Sequence, residues 1–249
     1  MAHREFRREL PGSTSVVLFI HGIQGSPDQF EFLYDSVPAH WSIVNILLDG
    51  HGGSVKDFSR TSMKKWKAQV QEVTDNLAAR YDEILIVGHS MGTFFAMDSA
   101  RRLPEKVKGL FMLATPLVIS VKPRAGINSM RVVLTSPPDR SPVIVAARKA
   151  YSIEQDKRLW RYLGWIPRYL ELFRESKRQR MLIAELKTPC RVFQSANDEL
   201  VSLRSCRYIE RNPDIVLTKL PGSGHFYYPP LAEEMLAQEL EKMCAQVIR

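Results

Sequence analysis

Residues 84–93 read ILIVGHSMGT, and this stretch decides the fold. The aliphatic run at 84–87 is typical of a short strand that is buried on both faces. A G-x-S-x-G pattern follows at once, and a helical pattern continues over 93–102. A strand, a tight glycine turn and a helix in this order expose the hydroxyl of Ser90 at a helix N-terminus. We therefore predict that Ser90 is a nucleophile; the alternative interpretation is a purely structural glycine-rich turn.

The alternation of apolar runs and helical patterns continues on both sides of this stretch. Runs of β-branched and aliphatic residues predict further strands at 16–20, 43–48, 109–113, 192–194 and 215–217. Between two of them, an apolar stripe repeats at helical spacing, at Trp66, Val70, Val73 and Leu77. The pattern predicts an α/β fold with a mostly parallel sheet covered by helices on both faces. Ligands bind at the carboxyl ends of strands in such sheets, which is where the Ser90 turn lies.

A serine nucleophile needs a base, and the base needs an acid that orients it. Among the six histidines, His225 lies in PGSGHF at 221–226, between the last predicted strand and the last predicted helix. Asp198 directly follows another predicted strand. The chain order Ser90, Asp198, His225 is one of the known orders of a serine hydrolase triad. Glu199 is the alternative acid, although we expect it to begin the next helix.

The other histidines have more natural structural positions. His3 falls in an N-terminal segment that we expect to fray, and His40 falls in a surface turn. His89 is adjacent to the nucleophile and is expected to point elsewhere. His21 and His51 follow predicted strands, where binding to the backbone is the more natural role.

Turnover also requires donors for the negative oxygen of the tetrahedral intermediate. One donor should be the backbone N–H of Met91, the residue after the nucleophile. The second is expected from the turn after the first long strand, HGIQG at 21–25, where Ile23 is placed to supply it. The glycines of this turn allow a close approach of backbone to substrate.

The composition predicts one globular unit. The chain has 249 residues, of which 45% are hydrophobic and 25% charged, so disorder is excluded. No apolar run approaches the roughly 20 residues of a membrane-spanning helix, and residues 1–10 lack the apolar stretch of a secretory signal. The three cysteines cannot form a disulfide framework and have no C-x-x-C spacing, which predicts a reducing, cytoplasmic setting.

The net charge of +8 is concentrated in one segment. Residues 116–190 contain 15 Lys/Arg against 6 Asp/Glu, whereas the rest of the chain contains 20 against 21. We interpret the excess as a solvated helical surface and expect no nucleic-acid partner, because the aromatic residues of this segment are spaced like packing residues. An apolar stripe at helical spacing, with Gly164 and Pro167 dividing it into two helices, predicts a buried face formed by Leu159, Leu163, Ile166, Leu170 and Phe173.

These motifs resemble the α/β-hydrolases of the carboxylesterase and monoacylglycerol-lipase group, related to the serine aminopeptidase-like hydrolases. The matching stretches lie in order across residues 15–247 and read HGIQGSPDQF at 21–30, LLDGHGGS at 47–54, GHSMG at 88–92, SANDELVS at 195–202 and PGSGHF at 221–226. The resemblance implies a hydrolase core formed by residues 1–115 and 182–249. It also implies that residues 116–181 form a helical cap over the site, the part in which such enzymes differ in substrate.

We therefore expect a serine hydrolase that cleaves carboxylic esters through an acyl-enzyme, without a metal or cofactor. The expected substrates are small acyl esters or monoacylglycerols, and the basic cap favours contact with anionic lipid surfaces. Hydrolysis of thioesters, amides or carbon–carbon bonds by the same triad remains an alternative, as does a slow-turnover small-molecule receptor. A dinucleotide site is excluded because GHGG at 50–53 lacks the third glycine and Ser54 is not expected to cap a helix.

Overall fold

A seven-stranded sheet forms the centre of the computed structural model, which describes residues 3–124, 140–154 and 156–247, apart from the Leu159 side chain. In chain order its strands are β1 (Phe6–Arg8), β2 (Ser15–Ile20), β3 (Ser42–Ile46), β4 (Glu83–His89), β5 (Val107–Leu113), β6 (Cys190–Ser195) and β7 (Ile215–Leu220). They pair in the order β1-β3-β2-β4-β5-β6-β7. Only the β1–β3 pair in this sheet is antiparallel, so the predicted mostly parallel sheet is confirmed.

Helices cover both faces of the sheet. The α-helices described are α1 (Val55–Arg60), α2 (Met63–Arg80), α3 (Met91–Arg102), α4 (Pro142–Ala150), α5 (Ile166–Leu182), α6 (Cys206–Ile209) and α7 (Pro230–Val247). Short 3₁₀ helices span Pro27–Ser36, Leu159–Trp165, Ile183–Glu185 and Leu203–Ser205. Within the described ranges, none of the helices is both long enough and apolar enough to cross a bilayer.

Strand β2 illustrates why the apolar runs form central strands. Every residue of β2 is buried, and alternate side chains point to opposite faces because the side-chain period of a strand is two. Leu18 contributes to the core beneath α1, α2 and α3, whereas Phe19 contributes to the core beneath the Pro27–Ser36 helix and α7. The continuous apolar run therefore reflects burial on both faces.

The N-terminal segment differs from the sequence prediction. We expected the N-terminal segment to fray, but it contains β1, which pairs with β3 at the edge of the sheet. His3 is also held, because its Nδ1 lies 2.7 Å from Asp28 Oδ2. A three-residue strand with a polar sequence has no local signature, since its pairing partner lies more than 30 residues away.

The expectation that Ser54 caps no helix is also wrong. Ser54 is the N-cap of α1, and its side chain and that of Asp57 form a capping box with each other's backbone N–H. The helix is only six residues long, too short to show the hydrophobic periodicity that predicts a helix from sequence.

The segment between β5 and β6 carries the helices of the predicted cap, although residues 125–139 and 155 lie outside the described residues. The expected division into two helices occurs where the Leu159–Trp165 helix meets α5. The indole N–H of Trp165 donates to the Val55 carbonyl at 3.0 Å. The Ser176 hydroxyl donates to the Pro116 carbonyl at 2.7 Å, so α5 is joined to the core by specific hydrogen bonds.

The predicted buried stripe on this segment is wrong. Its four described members are exposed by 46–64%, and they are Leu163, Ile166, Leu170 and Phe173. Helix α5 instead buries the neighbouring face, on which Leu172 is 5% and Ser176 1% exposed. Leu172 and the hydrogen-bonding residues Ser176 and Gln179 hold this face to the core, and hydrophobic spacing alone does not reveal the polar ones. The Leu159 side chain lies outside the described residues.

Candidate active site

Ser90 occupies the turn between β4 and α3. Its backbone has φ 52° and ψ −122°, a left-handed conformation that is uncommon for a residue with a side chain. A Cβ at Gly88 would lie 2.9 Å from the Thr93 backbone nitrogen, and a Cβ at Gly92 would overlap the Ile20 carbonyl oxygen. The glycines therefore allow the turn to pack between β2 and α3, and the packing holds Ser90 in its strained conformation.

The side chains of Asp198 and His225 meet at the carboxyl ends of β6 and β7. Nδ1 of His225 lies 2.9 Å from Asp198 Oδ2 and 3.1 Å from Oδ1. Since a carboxylate only accepts, Nδ1 carries the proton and Nε2 is left as the free base. The Asp198 carboxylate also accepts the backbone N–H groups of Leu200 and Val201, each at 2.8 Å, which fixes its orientation.

The two groups shift each other's pKa values in opposite directions. Burial favours the neutral form of Asp198, but the charge and hydrogen bond of His225 and the two amides outweigh it, so the pKa of Asp198 is lowered. Burial likewise favours neutral His225, but the charge and hydrogen bond of Asp198, with the charge of Glu199, raise the pKa of His225. The imidazole is therefore a stronger base than an isolated histidine.

His89 brings the His225 loop to the nucleophile turn. Its Nε2–H donates to the His225 carbonyl at 2.9 Å, and the two ring centroids lie 4.9 Å apart. Burial and, next, the nearby His225 lower the pKa of His89 to about 3, which keeps the ring neutral. Because His89 directly precedes Ser90, this contact joins the segments that carry the predicted nucleophile and base. His89 was expected only to point away from Ser90, and its hydrogen bond to the His225 carbonyl was not predicted.

The predicted oxyanion turn packs against Ser90. A Cβ at Gly22 would lie 2.8 Å from Ser90 Cβ, so the turn that begins at Gly22 and continues with Ile23 lies immediately beside the nucleophile. The Gly25 N–H closes this turn on the Gly22 carbonyl at 3.0 Å. Among the described residues, neither the Ile23 N–H nor the Met91 N–H has a hydrogen-bond partner. Both amides therefore lack a hydrogen-bond partner in the described part of the chain, as the donors of an oxyanion hole would before substrate binds.

Gln24 holds this turn in place, although no sequence motif pointed to it. Its φ of 60° is left-handed, as expected for the third position of a type II turn. The Gln24 N–H donates to His51 Nε2 at 3.1 Å, and its carbonyl accepts the Ser152 N–H at 3.0 Å. Its side-chain amide donates to the Tyr169 hydroxyl on α5. These partners are far apart in the chain, so no local pattern could have identified them.

His21 and His51 have the structural positions expected of them. Nε2 of His21 accepts the Leu48 N–H at 3.0 Å, while His51 accepts from Gln24 as described. Burial, above all, lowers the pKa of His21 well below its ordinary value and that of His51 to about 4. Both rings are therefore neutral acceptors that support the loops around the site.

A family model described as "Alpha/beta hydrolase family" matches residues 17–239. The chain belongs to this family. The solved structures similar to this alpha/beta hydrolase include one described with LipS and LipT, two metagenome-derived lipolytic enzymes. The TM-score is 0.72 at 18% identity over 97% of both chains, a likeness that shows the fold alone.

Curated relatives of this alpha/beta hydrolase include esterases and lipases. Pimeloyl-[acyl-carrier protein] methyl ester esterase of Neisseria meningitidis serogroup B is 29% identical over 118 residues, which are 46% of this chain and 42% of the relative. Thermostable monoacylglycerol lipase of a Bacillus species is 31% identical over 90 residues, 36% of each chain. The chain matches less than half the length of these two relatives.

Proposed function

We propose that this alpha/beta hydrolase cleaves carboxylic esters through an acyl-enzyme, with Ser90 as nucleophile, His225 as base and Asp198 as the orienting acid. The observation that carries the proposal is the left-handed Ser90 at the N-terminus of α3, with a hydrogen-bonded His225–Asp198 pair on the adjoining loops. A strained serine at this turn and a histidine with a free Nε2 are the parts that acyl transfer requires.

In acylation, Ser90 Oγ attacks the ester carbonyl while His225 Nε2 accepts the hydroxyl proton. The imidazolium that forms is stabilised by the Asp198 carboxylate, which accepts from Nδ1–H. The Ile23 and Met91 N–H groups donate to the carbonyl oxygen as it becomes negative. His225 then gives its proton to the leaving alkoxide, and the alcohol departs.

Deacylation repeats these roles with water. His225 Nε2 removes a proton from the water that attacks the acyl-enzyme carbonyl, and the same two N–H groups hold the oxyanion. Collapse of the intermediate returns the proton from His225 to Ser90 Oγ and releases the carboxylic acid. The cycle uses only groups of this chain and water.

The proposed substrates are acyl esters of short to medium chain length and monoacylglycerols. Two relatives, a methyl ester esterase and a monoacylglycerol lipase, support this class. We propose that residues 116–181 act as a cap that selects among these esters, because α5 reaches the oxyanion turn through Tyr169 and Gln24. The exposed apolar face of α5 supports the further proposal that the cap contacts anionic lipid surfaces.

The decisive variant is Ser90→Ala, with Ser120→Ala as an exposed serine control. We expect Ser90→Ala to lower ester turnover by about 10⁴-fold or more while the fold persists. A fluorophosphonate probe should label the wild type and Ser120→Ala but not Ser90→Ala. Labelling of Ser90→Ala at the normal rate would show that the nucleophile is another residue.

The substrate class is tested with p-nitrophenyl esters from acetate to palmitate beside monoacylglycerols, with matched thioesters and amides. We expect the esters to have the highest kcat/KM. Faster hydrolysis of the thioester or amide would favour those alternative reactions. A burst of acyl release without further turnover would contradict the esterase proposal and favour the receptor alternative.

A further inference from the structure

Glu199 has a position that the proposed triad does not use. It is 9% exposed, and its Oε2 accepts the backbone N–H of His225 at 3.1 Å. A Cβ at Gly224 would lie 3.2 Å from the same oxygen, so the glycine before His225 leaves room for the carboxylate. The prediction that Glu199 begins a helix is wrong, since Glu199 lies in the bend after Asp198.

His225 is thereby held at three points by side chains. Glu199 accepts its N–H, His89 donates to its carbonyl, and Asp198 accepts from its ring. A backbone N–H that is buried without a partner is costly, and here that partner is a carboxylate rather than another part of the backbone. Removing the carboxylate would leave the His225 N–H without this partner and would loosen the loop that carries the ring.

We propose that Glu199 is a positioning residue that anchors His225 through its backbone N–H and so sets the orientation of the imidazole against Asp198. The inference rests on the proposed function, because His225 is the base only in that mechanism. Glu199 does not act as the triad acid, since its contact is with the backbone of His225 and not with the ring.

Glu199 also affects the pKa of His225 through its negative charge. The charged or titratable groups described around His225 include Asp198 at the ring, Glu199 at the N–H and His89 at the carbonyl. They also include Lys122, whose Nζ lies 2.5 Å from the Asp198 carbonyl oxygen, and the buried Tyr228, whose pKa is raised by burial and then by the Asp198 charge. His89 is neutral, and the two carboxylates both favour the protonated imidazole. Removing the charge of Glu199 should therefore lower the pKa of His225 and extend activity to lower pH.

Two variants separate the anchor from the charge. Glu199→Gln keeps an oxygen acceptor for the His225 N–H but loses the charge, whereas Glu199→Ala loses both. Glu105→Gln is the matched control, because Glu105 is exposed in the turn before β5, at the amino-terminal ends of the strands and so on the opposite side from the site. Thermal unfolding of each variant reports whether the fold persists.

For Glu199→Ala we expect kcat to fall roughly tenfold to hundredfold, with KM within about twofold, because a catalytic group misplaced by about 1 Å can cost about 100-fold. Glu199→Gln should retain kcat within several-fold at high pH, while the acid limb of its kcat/KM profile moves to lower pH. Glu105→Gln should match the wild type in both. Wild-type kcat for Glu199→Ala, or an unmoved acid limb for Glu199→Gln, would overturn the inference.

A spectroscopic measurement keeps this result distinct from failure of the proposed function. The NMR signal of the His225 Nδ1–H, assigned with His225→Gln, should be present in the wild type and Glu199→Gln and broadened or lost in Glu199→Ala. An unchanged signal in Glu199→Ala would overturn the positioning role whether or not any ester is cleaved. Absence of Ser90 labelling in the wild type would instead overturn the proposed function.

Discussion

Asp198 and Glu199 are neighbouring carboxylates that bind different parts of the same histidine. Asp198 accepts from the ring of His225, and Glu199 accepts from its backbone. In a turn, successive side chains point in different directions, so adjacency in sequence does not make the two residues interchangeable. The distances favour Asp198 as the acid and leave Glu199 a different task.

Replacing Asp198 should therefore cost far more than replacing Glu199 by its amide. We expect Asp198→Asn to lower kcat by up to about 10⁴-fold, because an amide that donates to Nδ1 favours the wrong imidazole tautomer. Glu199→Gln should lower kcat several-fold at most. Steady-state kinetics on one p-nitrophenyl ester would measure both, and the reverse ranking would show that Glu199 is the acid.

The pKa of His225 predicts how activity depends on pH. Only the neutral ring accepts the Ser90 proton, so kcat/KM should rise with pH as His225 loses its proton. Because the Asp198 and Glu199 carboxylates raise the pKa of His225 above its ordinary 6.5, the midpoint of this rise should lie above 6.5. A pH profile of kcat/KM gives the midpoint directly. A midpoint below 6.5 would contradict the charge arrangement described for the site.

At the scale of elements, α5 carries two leucines with opposite environments. Leu170 is 49% exposed, whereas Leu172, two residues further on, is 5% exposed. Residues two apart on a helix lie on different faces, so the helix separates a packing face from a surface face. This pair allows the two functions of the helix to be tested separately.

We expect Leu172→Ser to lower the free energy of unfolding by about 2–4 kcal/mol, since it removes a buried side chain and buries a hydroxyl. Leu170→Ser should change it by less than about 0.5 kcal/mol.

If the exposed stripe contacts the substrate, Leu170→Ser and Ile166→Ser should weaken hydrolysis of long-chain esters more than that of acetate. Denaturant unfolding and the ester panel measure these effects, and an equal loss for all chain lengths would limit the stripe to a structural role.

At the scale of the whole molecule, the positive charge and the exposed apolar face coincide. Lys177 and Arg174 are exposed on α5 near Leu170 and Phe173, within the segment that carries the excess of Lys/Arg. Apolar side chains flanked by cations are typical of surfaces that bind anionic lipid. The distribution of charge, rather than its total, is what favours this face.

A charge reversal at matched positions tests this interpretation. Lys177→Glu should weaken binding to phosphatidylglycerol-containing vesicles by about tenfold or more, because each cation near the surface contributes about 1 kcal/mol. Lys219→Glu changes the net charge equally but lies on β7, and it should have little effect. Vesicle co-sedimentation at low and high salt measures both variants. Equal losses would indicate attraction by net charge alone.

The sequence by itself determined the features that depend on neighbouring residues. Buried parallel strands read as apolar runs, and the nucleophile turn reads as two glycines around a serine, because these constraints act within a few residues. The order of Ser90, Asp198 and His225 was instead compared with the known orders of serine hydrolase triads, and it stays a prediction. The structure places Asp198 and His225 within hydrogen-bonding distance.

Only the tertiary structure decided the features that depend on distant partners. The Glu199 carboxylate reaches the His225 backbone across 26 residues, and Gln24 reaches Tyr169 across 145. The exposed stripe on α5 followed the helical period that is typical of a buried face, yet Trp165, Ser176 and Gln179 determine which side of the helix meets the core. A hydrophobic period shows that a helix has two faces, but the free energy of packing against the rest of the chain determines which face is buried.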